Sequence, residues 1–236
     1  MKKYLTHPGL FTIISLLLLL PACSKTNGVD STLAYEEGQQ NAVPKLQDGY
    51  YWYNGVQISL EKNFRKMFIL YKADDEESIN ASLIKNGLTA DQSGKEYILS
   101  DIQYLEGITA PANLKWKIVE GADNLEHKKL SETVNASIIY EAPFFKSERG
   151  GELGLTNLFY VALKANNDFT RLKKLAEQYG VTILGNNRSM PLWYTLYCTK
   201  SSKFNALQMA NTFYETGAFS VSQPDLMTVI KPASGQ

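Results

Sequence analysis

The sequence predicts an α+β fold, rich in strands through its first half and ordered β-α-β-β-α-β in its last third. Three observations carry this. Asn54-Gly55 sits between the strand-like runs 50–53 and 56–60. Leu114, Trp116 and Ile118 alternate with Lys115 and Lys117, the period of a half-buried strand. Phe169, Leu172, Leu175, Ala176 and Tyr179 recur at helical spacing, as do Ala206, Leu207, Ala210, Phe213 and Tyr214. A glycine follows each helical set, and strand-like runs flank both.

The elements follow in order. Asn-Gly supplies the two positive φ angles of a type I′ turn, so 50–60 predicts a β-hairpin. A strand follows at 67–71. Asp74-Asp75-Glu76-Glu77 precedes Ile79, Leu83 and Ile84 at helical spacing, with Gly87 beyond them. Acids in a first turn favour the helix dipole, so this run predicts a helix start rather than a calcium loop. Tyr97, Ile98 and Leu99 predict a short strand, 123–130 a short helix and 137–140 another strand. Residues 143–154, with Gly150, Gly151 and Gly154, predict a loop and a domain boundary.

The last third is the most regular. A strand is expected at 158–163. Asn167 or Asp168 caps the first helix, and Gly180 ends it. A strand at 181–184, a turn at Gly185-Asn186-Asn187 and a strand at 191–198 follow. Ser202 or Asn205 starts the second helix, Gly217 ends it, and 219–221 is the final strand. This order is the split-βαβ or ferredoxin-like unit, with both helices on one sheet face. Leu172, Leu175, Leu207 and Phe213 are expected core. Trp193 and Tyr197 fall on the other sheet face, and large aromatics there need a cover, from the first half of the chain or from a partner.

The N-terminus predicts an address. Lys2 and Lys3 precede an uncharged apolar run at 10–20, too short to span a bilayer, which takes roughly 20 apolar residues. That reads as a signal peptide at 1–22. Leu20-Pro21-Ala22-Cys23 looks like a lipobox, in which the cysteine is diacylated and becomes the new N-terminus. Two acyl chains and an N-acyl group anchor stably where one chain is marginal. Residues 23–44, polar and poor in apolar side chains, predict a flexible tether. The body then comprises about 190 residues, a size for one large or two small domains: 45–154 as a β-rich α+β domain and 155–230 as the ferredoxin-like one, with 231–236 a tail.

Composition excludes several functions. The chain has 24 basic and 24 acidic residues and no basic run, so nucleic acid is not an expected partner. Its two histidines are His7, within the signal peptide, and His127, with no second histidine or free thiol beside it, so no metal site is expected. With Cys23 acylated, Cys198 has no disulfide partner and is expected as a small buried core residue. No catalytic constellation, cofactor motif or small-molecule site stands out, and the chain reads as a non-enzyme.

Three stretches resemble a known family. Tyr50-Tyr-Trp-Tyr-Asn-Gly, Met190-Pro-Leu-Trp-Tyr-Thr-Leu, and the run from Asn205 to Gly217 followed by Gln223-Pro-Asp-Leu are similar to the N-terminal prodomain region of Bacteroidetes subtilisin-like serine proteases. The resemblance covers roughly 50–71 and 158–227 and leaves 74–154 unmatched. No protease domain with its Asp, His and Ser follows before Gln236. The resemblance implies a non-catalytic protein that inhibits or chaperones a subtilisin-like protease in trans. Trp193 and Tyr197 would dock, and Asp225, Leu226, Met227, Thr228, Val229 and Ile230 would enter the active-site cleft as an extended strand. The alternative is a structural or adhesive envelope lipoprotein that uses the same fold as a scaffold. No aspartate directly follows Cys23 and no acidic cluster lies there, which by resemblance to other lipoproteins implies the outer membrane, facing the periplasm.

Overall fold

The computed structural model describes residues 49–122, 125, 129–134, 137–147 and 151–229. Expectations resting on Cys23, on the signal peptide and tether, on His127 and on Ile230 lie outside these residues.

The hairpin forms as its turn chemistry requires. β1 (Tyr50–Tyr53) pairs β2 (Val56–Ser59) around Asn54 (φ 48) and Gly55 (φ 78). A lone two-stranded hairpin is marginal in water. This one is held from outside: Tyr50 Oη and Trp52 Nε1 donate to Glu215 Oε1 at 2.8 and 3.1 Å, and Trp52 stacks on Tyr214 at 4.9 Å. The Glu215 carboxylate and burial push the Tyr50 hydroxyl up to about 12, burial being the larger cause.

The remaining elements run β3 (Glu61–Lys72), α1 (Glu76–Lys85), β4 (Thr89–Ala90), β5 (Lys95–Glu96), β6 (Ile102–Tyr104), β7 (Leu114–Glu120), α2 (Leu130–Thr133) and β8 (Ile138–Lys146). Then come β9 (Glu152–Leu163), α3 (Phe169–Tyr179), β10 (Thr182–Asn187), β11 (Trp193–Tyr197), α4 (Ala206–Glu215) and β12 (Phe219–Val229). The fold is mixed α+β. Its ten-stranded sheet follows the path β4-β7-β3-β8-β9-β11-β10-β6, with β12 also on β9 and β5 also on β7. These pairings are antiparallel.

The same arrangement occurs twice. β3-α1-β4-β7-α2-β8 has strand order β4-β7-β3-β8, and β9-α3-β10-β11-α4-β12 has order β10-β11-β9-β12. In both copies the second strand is an outer one, the third lies next to it, then the first, then the fourth. β9 joins the copies. β12 occupies one edge of β9 from Glu152 to Leu163, so β8 at 152–154 and β11 at 158–162 share the opposite edge, end to end.

Alternation along β3 supplies two cores. Phe68 and Leu70 join the large core with Phe159, Leu196, Leu207 and Phe213. Met67, Ile69 and Tyr71 join a smaller one with Ile79 and Leu83 of α1 and Leu130 of α2. Leu172, Leu175, Leu207 and Phe213 are all buried, as their spacing predicts, and so is Cys198.

Several local expectations differ. Within the span expected as a loop at 143–154, residues 143–146 and 152–154 are strand: β8 runs through Phe144 and Phe145, both 0% exposed, and Ser147 N donates to Gly151 O at 2.9 Å. β8 pairs β9 there, and β9 runs through the border expected at 154/155. Gly185-Asn186-Asn187 is not a turn but the end of β10, paired with β6. A Cβ on Gly185 would lie 2.1 Å from Gln103 O, so the glycine there serves close strand approach. β12 extends past Val221 to Val229. Ile84 is 66% exposed, because Ile79 and Leu83 already fill the inward face of α1.

Lys117 departs furthest from expectation. Alternation assigned it to solvent, yet its side chain is fully buried. Its ammonium contacts Glu76 Oε1 at 3.2 Å, Asn80 Oδ1 at 2.5 Å and Gln92 O at 2.7 Å. Glu76 also accepts from Lys115 Nζ at 2.6 Å, from Tyr71 Oη at 3.0 Å and from the Gly94 amide. Burial alone would raise this carboxyl; the Lys115, Gly94, Lys117 and Tyr71 donors overcome that and hold it down to about 2. The acid run at 74–77 is therefore a helix start whose third acid organises a buried charge cluster.

Candidate functional site

The second copy buries one face of its sheet under α3 and α4 and turns the other toward the first copy. On the helix side Phe159 meets Phe213 edge-on at 5.2 Å, and Tyr194 stacks on Phe169 at 5.0 Å. The strand period of two therefore places Thr156, Leu158 and Tyr160 of β9, Trp193 and Thr195 of β11, and Asp225 and Met227 of β12 on the opposite face. These seven residues line a cavity of about 580 Å³. Phe68 and Trp116 of the first copy, stacked on one another at 5.8 Å, line it from β3 and β7.

The chain between β5 and β6 lines one side of the cavity at residues 96–102. It is tied at both ends. Lys95 and Glu96 pair with β7, while β6 pairs with β10 and Leu105 N donates to Leu184 O at 3.0 Å. In between, Tyr97 Oη donates to the buried Asn157 Oδ1 at 2.6 Å, and Asn157 Nδ2 donates in turn to Cys198 O at 3.2 Å. Burial, with Tyr197, Asp225 and Tyr160 nearby, raises the Tyr97 hydroxyl well above its ordinary value despite that bond. The segment is thus fixed to strands of both copies.

Asp225 is the one acid within the sheet wall of the cavity. Thr156 Oγ1 accepts from Leu158 N at 3.2 Å and donates to Asp225 Oδ2 at 2.8 Å, so the hydroxyl is oriented before it meets the carboxylate. Tyr160 donates as well. Burial raises the Asp225 carboxyl, and the Thr156 and Tyr160 bonds oppose that rise. Glu96 and Asp101 add two further acids at the rim, and the described lining holds no lysine, arginine or histidine.

The residues singled out from sequence divide. Trp193 is half-buried and lines the cavity with Asp225 and Met227. Tyr197 shares that face but is buried, 8% exposed, its hydroxyl pushed up to about 12 by burial. Leu226 packs on the large core, Thr228 is exposed, and Val229 closes β12. Asp225 to Val229 are part of a strand paired to β9 rather than a free tail. Sequence reading missed Phe68, Tyr97, Trp116, Thr156 and Tyr160 as lining residues. Trp116 lay in a run recognised as a strand; Tyr97 lay in one expected as a strand at 97–99 that the structure leaves as irregular chain after β5, and nothing local says that strands of two copies enclose them.

Other chemistry is sparse. Among the described residues no three metal-ligating side chains converge, and no helix is long and apolar enough to cross a membrane. Burial pushes the Cys198 thiol up to about 12, which leaves it a packed core group rather than a nucleophile.

No family model and no curated protein matches the chain. A solved structure, the small subunit of acetolactate synthase from Thermotoga maritima, is similar at 10% sequence identity over 71% of this chain and 98% of that one. The TM-score is 0.24, a likeness that carries no argument about the fold or the site of this chain.

Proposed function

We propose that this chain is a non-catalytic binding protein of the cell envelope, held to a membrane by lipid on Cys23, that takes a small ligand into the cleft between its two copies. One observation carries the reading: an aromatic cavity of about 580 Å³, within the size range of ligand sites, built from both copies and lined on one side by a segment fixed to each. Lining already held by such hydrogen bonds lowers the ordering cost of binding. The experiment is a titration of the full chain, in detergent, with a panel of charged and neutral small aromatics, read by tryptophan emission. Cleft-dependent saturation is expected for part of the panel. No saturable change with any member would remove the reading.

The anchor has its own test. Cys23→Ala is expected to move the protein out of the membrane fraction or to stall its maturation. A mature variant that still sediments with membranes would contradict lipidation at this residue.

A second reading is the prodomain-like inhibitor of a subtilisin-like protease. The strand order β10-β11-β9-β12, with α3 and α4 on one face, supports a ferredoxin-like arrangement of 152–229. Docking through Trp193 and Tyr197 would require the first copy to move aside. Entry of Asp225 to Val229 into a protease cleft would require β12 to leave β9. This reading expects micromolar or tighter inhibition of a subtilisin-like protease from the same cell by the full chain. Undiminished proteolysis at tens of micromolar would leave the cleft or the scaffold alternative in its place.

A further inference from the structure

We propose that the ligand taken by the cleft is a small organic cation, an ammonium group carrying apolar substituents; this rests on the cleft being a binding site. The lining has one sign of charge. Glu96, Asp101 and Asp225 contribute carboxylates, and no basic side chain accompanies them among the described lining residues. A cleft with charges of one sign and low-dielectric walls concentrates ligands of the other sign. An anionic ligand would face three carboxylates, and the ammonium described against the lining, that of Lys95, is already placed over Trp116.

The walls suit a cation carrying apolar groups rather than a bare metal ion or a sugar. Phe68, Tyr97, Trp116, Tyr160 and Trp193 present five aromatic rings, and ring faces attract cations most strongly where water is excluded. One ring already does so: Lys95 Nζ lies over Trp116, 4.9 Å from its centre. Asp225 sits on the sheet wall with Thr156 and Tyr160 as its hydrogen-bond donors and no cation paired to it among the described ion pairs. At the rim, Ile98 and Met190 are 75% and 46% exposed, an apolar edge available to alkyl substituents. A divalent metal ion would find no converging ligand set there among the described residues. A sugar would meet mostly rings and methyl groups, with few neutral polar partners.

The test uses three probes of one shape. Choline, its neutral carbon isostere 3,3-dimethylbutan-1-ol and the anion 3,3-dimethylbutanoate are titrated into the full chain in detergent. A Trp52→Phe background leaves the emission to Trp116 and Trp193. Choline is expected to bind at least tenfold more tightly than the neutral isostere, and the anion not to bind. Asp225→Asn should remove most of the choline preference and leave the neutral isostere unchanged. If that variant does not fold, the exposed pair Glu96→Gln and Asp101→Asn should still weaken choline several-fold at low salt. Equal binding of choline and its neutral isostere would overturn the cation inference and leave the cleft reading standing. Binding of none of the three would also overturn the cation inference, and the cleft reading would then stand or fall with the panel of small aromatics.

Discussion

Phe213→Ala is expected to destabilise the protein by about 3–5 kcal/mol, the range for deleting a large aromatic from a packed core. The ring is 0% exposed. It meets Phe159 at 5.2 Å, Tyr179 at 6.0 Å and Phe219 at 5.9 Å, so its loss removes one partner from each of three other rings on β9, α3 and β12. The cavity cannot close without moving α4, whose outer side also holds the β1–β2 hairpin. Urea unfolding checks this as a lowered midpoint with an unchanged slope. Tyr53→Ala, at a residue 51% exposed, is the control and should stay within about 0.5 kcal/mol of wild type.

Glu76→Gln is expected to cost about 3–5 kcal/mol, because it leaves a buried cation without its counter-ion. Lys117 would keep only neutral acceptors, Asn80 Oδ1, Gln92 O and the introduced amide oxygen, at 0% side-chain exposure. The reverse deletion is milder. Lys117→Met leaves Glu76 with Lys115, the Gly94 amide and Tyr71, and should lie within about 1.5 kcal/mol of wild type. This asymmetry distinguishes a buried charge from a surface pair, where both deletions would be small.

The same carboxylate predicts a pH dependence. Its folded value of about 2 lies below the ordinary 4.5, so in between the unfolded chain takes up the proton first. The contribution of Glu76 is therefore complete above about pH 4.5 and is lost as pH falls toward 2. The stability gap between wild type and Glu76→Gln should narrow over that window. A gap that stayed constant from pH 6 to pH 2.5 would contradict the charge cluster.

Local signals exposed the second copy and hid the first. α3 and α4 have eleven and ten residues, enough for an apolar stripe to show, and Asn205 caps α4 with a reciprocal bond to Gln208. In the first copy the corresponding second strand, Thr89–Ala90, has two residues, and the second helix, Leu130–Thr133, has four. Neither is long enough to show a period, so the repeat is visible only once strands pair. Lys117 misled for a related reason: alternation says that two faces differ, not which one water reaches. The cleft was half legible. Trp193 stood out as an aromatic on the last third's free sheet face, while Asp225 stood out only within the segment that the prodomain resemblance singled out. Phe68 and Trp116 come from strands whose second role depends on residues far along the chain, from Thr156 to Met227.

Filling the cleft tests directly whether it is the binding site. Thr195 is 5% exposed, lines the cavity from β11 and occupies a strand position where an aromatic is well tolerated. Thr195→Phe should direct a ring into the cavity and leave α3 and α4 untouched on the other face. The measurement is the dissociation constant, from tryptophan emission, of the tightest compound in the ligand panel for wild type and for Thr195→Phe, each first shown to melt cooperatively. The expected result is a loss of binding of tenfold or more in the variant. Unchanged affinity in a folded Thr195→Phe protein would place binding elsewhere and contradict the cleft as the site.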